Sequence, residues 1–124
     1  MLLSGDVHHA YIADARPADG QPPWQAPVYQ AVCSPLRNPL DSNERRAIKL
    51  AMTRGAELVG RGLARAARVE DEPLTWEIAD GPWFDNQVAW LDLDGRRCTF
   101  RLERAVGAGE ELPRLEQVAV RCLA

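Results

Sequence analysis

What this chain lacks narrows its possibilities first. Across its 124 residues no apolar run approaches the roughly 20 needed for a membrane-crossing helix. No basic segment followed by a long apolar core opens it, so no signal peptide is visible and a cytoplasmic location is the default expectation. It has only two histidines, His8 and His9, within one short segment, and no nucleophile–base pair with an acidic orienter can be assigned. The three cysteines, Cys33, Cys98 and Cys122, are odd in number and widely spaced, with no Cys-x-x-Cys pair, so buried free thiols are expected. A net charge of −3, with 46% apolar and 27% charged residues, argues against disorder and against bulk attraction to nucleic acid.

What is there begins at the first residues, Met1-Leu2-Leu3-Ser4-Gly5-Asp6-Val7-His8-His9-Ala10-Tyr11-Ile12-Ala13. The order is a strand, Gly5, a polar edge, and a second apolar stretch. If the polar edge is extended, Asp6 and His8 face one side and His9 the other. Asp-x-His at a strand end offers a metal one oxygen and one nitrogen ligand, whereas a catalytic zinc takes three protein ligands. Asp14, Asp80, Asp85, Asn86 and Cys33 are further donors only if the fold brings them close. The alternative is structural: Asp6 hydrogen-bonds backbone amides at a turn, and the histidines pack at a sheet edge.

Leu3-Ser4-Gly5-Asp6-Val7-His8-His9-Ala10-Tyr11 resembles the last metal-binding motif of the PhoD-like alkaline phosphatases, a branch of the metallophosphoesterases. Val28 to Leu40 (VYQAVCSPLRNPL) resembles the segment that follows it, and Asp80 to Gln87 (DGPWFDNQ) a third block near the family's C-terminus. The resemblance extends to about Glu103. It implies an α+β chain forming the C-terminal part of a metallophosphoesterase-type sheet sandwich, in a single partial domain over 1–124. It further implies hydrolysis of phosphate esters at a two-metal centre of divalent or trivalent ions, with Fe, Ca, Zn and Mn all compatible. Asp6 and His8 carry over as metal ligands, and His9 lies next to the motif. The family's other ligands come from upstream Asp-, Asn- and His-rich loops. The resemblance therefore implies a C-terminal piece, inactive alone, whose opening strand has an unpaired edge open to self-association. The other reading is a non-catalytic α+β interaction domain that self-associates or docks on a separate N-terminal half.

Asp14 to Pro27 is proline- and glycine-rich and reads as a loop, Val28 to Cys33 as a buried strand ended by Ser34-Pro35. Arg37, just beyond, offers a guanidinium fork to a phosphate, or else is a solvated or carboxylate-paired arginine. Asp41-Ser42-Asn43-Glu44 has the spacing of a capping box. Behind it, over about residues 42–67, apolar residues from Ala47 to Ala66 recur at intervals of three and four among seven basic residues. The pattern predicts one bent helix or two, broken near Gly60, with its small-residue stripe packed on a sheet. A basic amphipathic helix also suits an anionic membrane or RNA. The stripe lacks Trp and Phe anchors and the rest of the chain is acidic, so the expectation is a solvated arginine face, with neither nucleic acid nor membrane as partner.

Leu74 to Ile78 alternates as a half-buried strand, and Asp80-Gly81-Pro82 reads as a turn. Trp83-Phe84-Asp85-Asn86 follows. Asp85 or Asn86 could support a metal ligand from behind, or satisfy backbone amides under an aromatic plug. The clearest element is a hairpin over about 87–103, with Asp94-Gly95 as a type I′ turn setting Leu91 opposite Cys98 and Ala89 opposite Phe100. A loop from Gly107 to Glu111 then leads to a last strand, Gln117 to Cys122.

Overall fold

The computed structural model describes residues 1–5, 7–34, 36–37, 40–70, 72–107 and 112–123. Over these the chain is α+β, with two sheets and two helices. The first sheet holds β1 (Leu2–Ser4), β2 (Ala10–Pro17), β3 (Val28–Val32) and β4 (Leu74–Trp83), in the order β1-β3-β2-β4. β1 is parallel to β3, and the other pairs are antiparallel. β5 (Gln87–Asp94), β6 (Arg97–Val106) and β7 (Arg114–Cys122) form a second, antiparallel sheet. Between β3 and β4 come α1 (Ser42–Ala51) and α2 (Arg54–Ala66).

The core lies where the sheets face each other. Ala10, Ile12 and Ala31 from the first meet Cys98, Phe100 and Leu102 from the second, and Leu123 closes the cluster. Alternation explains the choice: every second residue of β6 points inward, and in β6 those residues are Cys98, Phe100 and Leu102. Several inward positions carry alanine, so the layer is thin. Alongside β1 it leaves a cavity of about 190 Å³ between Leu3, Ala31, Ala89, Leu91 and Phe100.

The hairpin forms with the expected faces but a different turn. Asp94 pairs with Arg97, Leu93 with Cys98, Leu91 with Phe100 and Ala89 with Leu102. The loop residues are therefore Gly95 and Arg96, not Asp94-Gly95. Gly95 alone has positive φ, at 59°, which matches a type II′ turn. The shift moves each pair by two residues, and a shift of two leaves every side chain on its expected face.

β2 runs on to Pro17, so the loop expected over Asp14 to Pro27 begins only at Ala18. β4 passes straight through Asp80-Gly81-Pro82, which is a stretch of strand and not a turn. It is accommodated by register shifts against β2 between Ala10 and Ala13, and by Gly81 at φ 104°, where a Cβ would stand 2.9 Å from the Ala10 carbonyl oxygen. Leu74 and Trp76 of β4 are exposed, against the half-buried reading. The last strand starts at Arg114, three residues earlier than Gln117. Most of the Gly107 to Glu111 loop lies outside the described residues. Of the cysteines, Cys98 is buried, Cys33 partly so, and Cys122 exposed.

The helices depart furthest from expectation. The capping box is present: Asp41 accepts from the amides of Asn43 and Glu44 at 2.7 and 2.9 Å, and the Glu44 carboxylate accepts from the Asp41 amide at 3.0 Å. The break falls at Met52-Thr53, not at Gly60. Met52 caps α1, and the Thr53 hydroxyl accepts the Ala56 amide to start α2. A Thr side chain that satisfies a free N-terminal amide starts a helix more effectively than one interior glycine stops it. Neither helix buries any residue fully, so the stripe is not packed on the sheet as expected.

Candidate functional site

Strand direction brings the segments after Ser4, Val32 and Trp83 to one end of the first sheet. β1 and β3 are parallel and end together, Ser4 beside Val32, and the Cys33 amide donates to the Ser4 carbonyl at 3.2 Å. The segment after Gly5 and the segment after Cys33 therefore leave from the same edge. β2 is antiparallel and begins there at Ala10, and β4 is antiparallel to β2 and ends there, with Trp83 opposite Ala10. His8-His9, Arg37 and Phe84-Asp85-Asn86 all lie on connections at this end. Loops at the carboxyl ends of parallel strands are a common place for binding residues, because the scaffold holds them rigidly.

His8 has φ 57°, so the turn between β1 and β2 is not extended, and the expectation that Asp6 and His8 share one side by strand alternation does not carry over. Asp6 itself lies outside the described residues. His9 has the best-defined setting. Its Nδ1 donates to the Val7 carbonyl at 2.7 Å, and its ring stacks on Tyr11 at 5.5 Å between centroids and leans on Phe84 at 5.8 Å. A carbonyl only accepts, so Nδ1 carries the hydrogen and the neutral ring keeps its lone pair on Nε2. A histidine tied back through one nitrogen to a backbone carbonyl has the tautomer of a metal-ligating imidazole.

The other donors divide. Asp14 and Asp80 are taken by Arg121, each accepting from its guanidinium at 2.9 Å. Asp85 lies 3.7 Å from the Arg104 guanidinium. Burial pushes the Cys33 thiol up, against a smaller lowering from its hydrogen bond with the Ala89 backbone, so Cys33 is a neutral thiol at physiological pH. Asn86 gives its main-chain carbonyl to the Ala105 amide at 2.8 Å, while its side-chain Oδ1 is buried with no hydrogen-bond partner among the described residues. An unspent buried acceptor costs about 1–3 kcal/mol unless a donor or cation meets it. Arg37 is exposed. Among the described residues no three carboxylates, imidazoles or thiols cluster as a metal set.

Arg45 and Lys49 were not singled out from the sequence as site residues. They stand one turn apart on α1, with their charges 5.8 and 5.7 Å from the Phe84 ring centroid. Their i, i+4 spacing was visible; that it faces Phe84 depends on the connection folding α1 over this end. His9, Phe84, Arg45 and Lys49 thus form one aromatic and cationic group, suited to anions more than to cations alone.

Fold and site together define a small α+β protein of two facing sheets, with a histidine-, arginine- and lysine-bearing edge. Comparison with protein-family models, with curated proteins and with solved structures finds no match to this chain.

Proposed function

We propose that this chain carries the C-terminal metal-binding motif of a PhoD-like metal-dependent phosphoesterase, on a metallophosphoesterase-type sheet sandwich. The single observation that supports the reading is the convergence of three blocks, far apart in sequence, at one end of the first sheet. On this reading Asp6 and His8 hold metal, with His9 offering a correctly protonated imidazole beside them. Metal ions held there would supply Lewis-acid chemistry for phosphate-ester hydrolysis. The chain's own residues do the rest: Arg45, Lys49 and Arg37 set a positive field for a phosphate ester, and Asn86 Oδ1 is left to accept a hydrogen bond from behind the ligands. A two-metal centre takes more ligands than this motif provides, so the remainder come from further polypeptide and the isolated chain hydrolyses little.

The test is metal content and melting temperature measured together, on protein stripped with chelator and then offered Zn²⁺, Mn²⁺, Fe or Ca²⁺. Retained metal and a rise in melting temperature, both lost in Asp6→Ala and His8→Ala, support the site. No metal and no shift, with or without the substitutions, remove it. Rapid turnover of p-nitrophenyl phosphate by the chain alone would overturn the need for further ligands.

A second reading, a non-catalytic interaction domain, is favoured by β1. It is an edge strand, and Leu2 and Leu3, on opposite faces, are both about 60% exposed. Apolar residues on both faces suit a strand with neighbours on all sides. Concentration-dependent dimers abolished by Leu3→Lys would support this reading, and a monomer at all concentrations would count against it.

A further inference from the structure

α2 is amphipathic and buries neither side: its polar residues border a cleft, and its apolar residues are left uncovered. Arg54, Glu57 and Arg61 line an open cleft of about 940 Å³ beside β2 and β4, and Glu57 and Arg61 pair one turn apart along the helix at 2.6 Å. At about 100° per residue, Val59 and Leu63 fall on the other side, and Leu58 lies at the boundary beside Arg54 and Arg65. Leu58, Val59 and Leu63 are 70%, 63% and 66% exposed, and Leu50 of α1 is 68% exposed. The polar residues are solvated as the sequence suggested, with the Arg61 and Glu57 side chains 66% and 56% exposed, but the apolar side is left uncovered as well.

The charges bordering this apolar side are of one sign. Arg65 lies next to Leu58 on the helix surface, seven positions on, and Arg46 one turn before Leu50, four positions back. The two carboxylates of the helical region, Glu44 and Glu57, are spent on the α1 cap and on Arg61. From Ser42 to Arg68 there are seven cations against two carboxylates, within a chain of net charge −3. Exposed leucines edged by arginines, with acids turned away, are complementary to a surface that is apolar inside and anionic outside. Arginine stems reach from such a boundary to headgroups while the leucines enter the acyl region.

We propose that α2, with the adjoining turn of α1, is an interfacial anchor that binds the surface of an anionic phospholipid bilayer through Leu58, Val59 and Leu63, with Arg46 and Arg65 on the headgroups. The absence of Trp and Phe from the stripe makes binding dependent on lipid charge. Among the described residues no helix is long and apolar enough to cross a membrane, and the anchor does not require one.

The experiment is flotation of the full chain with vesicles of pure phosphatidylcholine and of equimolar phosphatidylcholine and phosphatidylglycerol. Binding is expected to the anionic vesicles only, weakening as salt is raised. Leu58→Ser with Leu63→Ser should reduce partitioning by about tenfold or more. Arg46→Gln and Arg65→Gln should each cost about fivefold. Far-UV circular dichroism confirms that the variants fold, and all four positions are exposed. No binding, equal binding to both vesicles, or binding indifferent to the leucine pair overturns the proposal. So does retention on single-stranded RNA without vesicle binding, or a dimer dissolved by Leu58→Ser with Leu63→Ser, since the face then belongs to another partner.

Discussion

Arg121 on β7 clasps Asp14 on β2, its Nη2 standing 2.9 Å from both carboxylate oxygens, and its Nη1 reaches Asp80 of β4 at 2.9 Å. This is the charged tie between the two sheets. Burial works against the guanidinium charge, but the hydrogen bonds and fields of Asp80 and Asp14 together raise the Arg121 pKa. The arginine therefore stays charged wherever the carboxylates are ionised. Its guanidinium carbon also lies over the Tyr29 ring, 5.6 Å from the centroid.

Removing this tie should cost more than removing any surface pair. Arg121→Met keeps the stem and deletes the charge, leaving two carboxylates facing each other between the sheets. A loss of about 2 kcal/mol is expected, from hydrogen bonds made by a charged donor. Arg97→Met at the exposed Asp94 pair should change stability by less than about 0.5 kcal/mol. Urea denaturation of both variants makes the comparison, and equal losses would refute the assignment.

The thiols should separate by accessibility. Exposed Cys122 is expected to react first with a disulfide reagent, while Cys98 and Cys33 react slowly. Burial raises Cys33, so the folded state holds that proton more tightly than the unfolded chain does. The stabilisation is complete below the unfolded thiol value, about 8.5, and declines as pH rises through the higher folded value. Cys33→Ala should flatten the fall in melting temperature on the alkaline side. If the wild-type and variant profiles run parallel, Cys33 is not the titrating group.

Two glycines predict opposite signs. Gly60 sits inside α2 with nothing within 4 Å of a Cβ, so Gly60→Ala should stabilise the helix by up to about 1 kcal/mol. Gly95 has φ 59° in the β5–β6 turn, and Gly95→Val should cost about 1–2 kcal/mol by forcing a branched side chain into left-handed backbone. Gly60→Ala is best read by amide exchange in α2, because a helix with no buried residue opens locally before the sheets do.

The core prediction concerns Leu102, which is fully buried at the centre of the sandwich. Leu102→Ala should destabilise by about 2–5 kcal/mol, and Leu58→Ala on the exposed side of α2 by less than about 1 kcal/mol. Denaturant midpoints of the two variants give the comparison. Near-equal effects would mean that α2 packs more tightly than its exposure indicates.

Local signals in the sequence were reliable where a residue's neighbours in the chain decide its structure. The Asp41–Glu44 capping box, the alternation that makes β5 and β6 a hairpin, and the valines of β3 are all satisfied by contacts close in sequence or by a period of two. The break expected near Gly60 falls instead at Thr53, whose hydroxyl caps α2 through a contact three residues away. The Asp80-Gly81-Pro82 turn failed because a register shift in β2 absorbs a local turn signal into a strand.

By itself the sequence determined that this protein has an amphipathic basic helical region, a strand pair with an apolar face, and a Gly-Asp-x-His-His segment between two strands. Those features rest on periodicity and backbone preference, which act over a few residues. Only the tertiary structure decided that β1 is an edge strand parallel to β3, that Phe84 meets both His9 and the Arg45–Lys49 pair, and that the apolar side of α2 is left uncovered. Each of those depends on pairing segments tens of residues apart. The free energy of such pairing comes from burying one surface against another, and a helical stripe records that a surface is apolar without naming what will cover it.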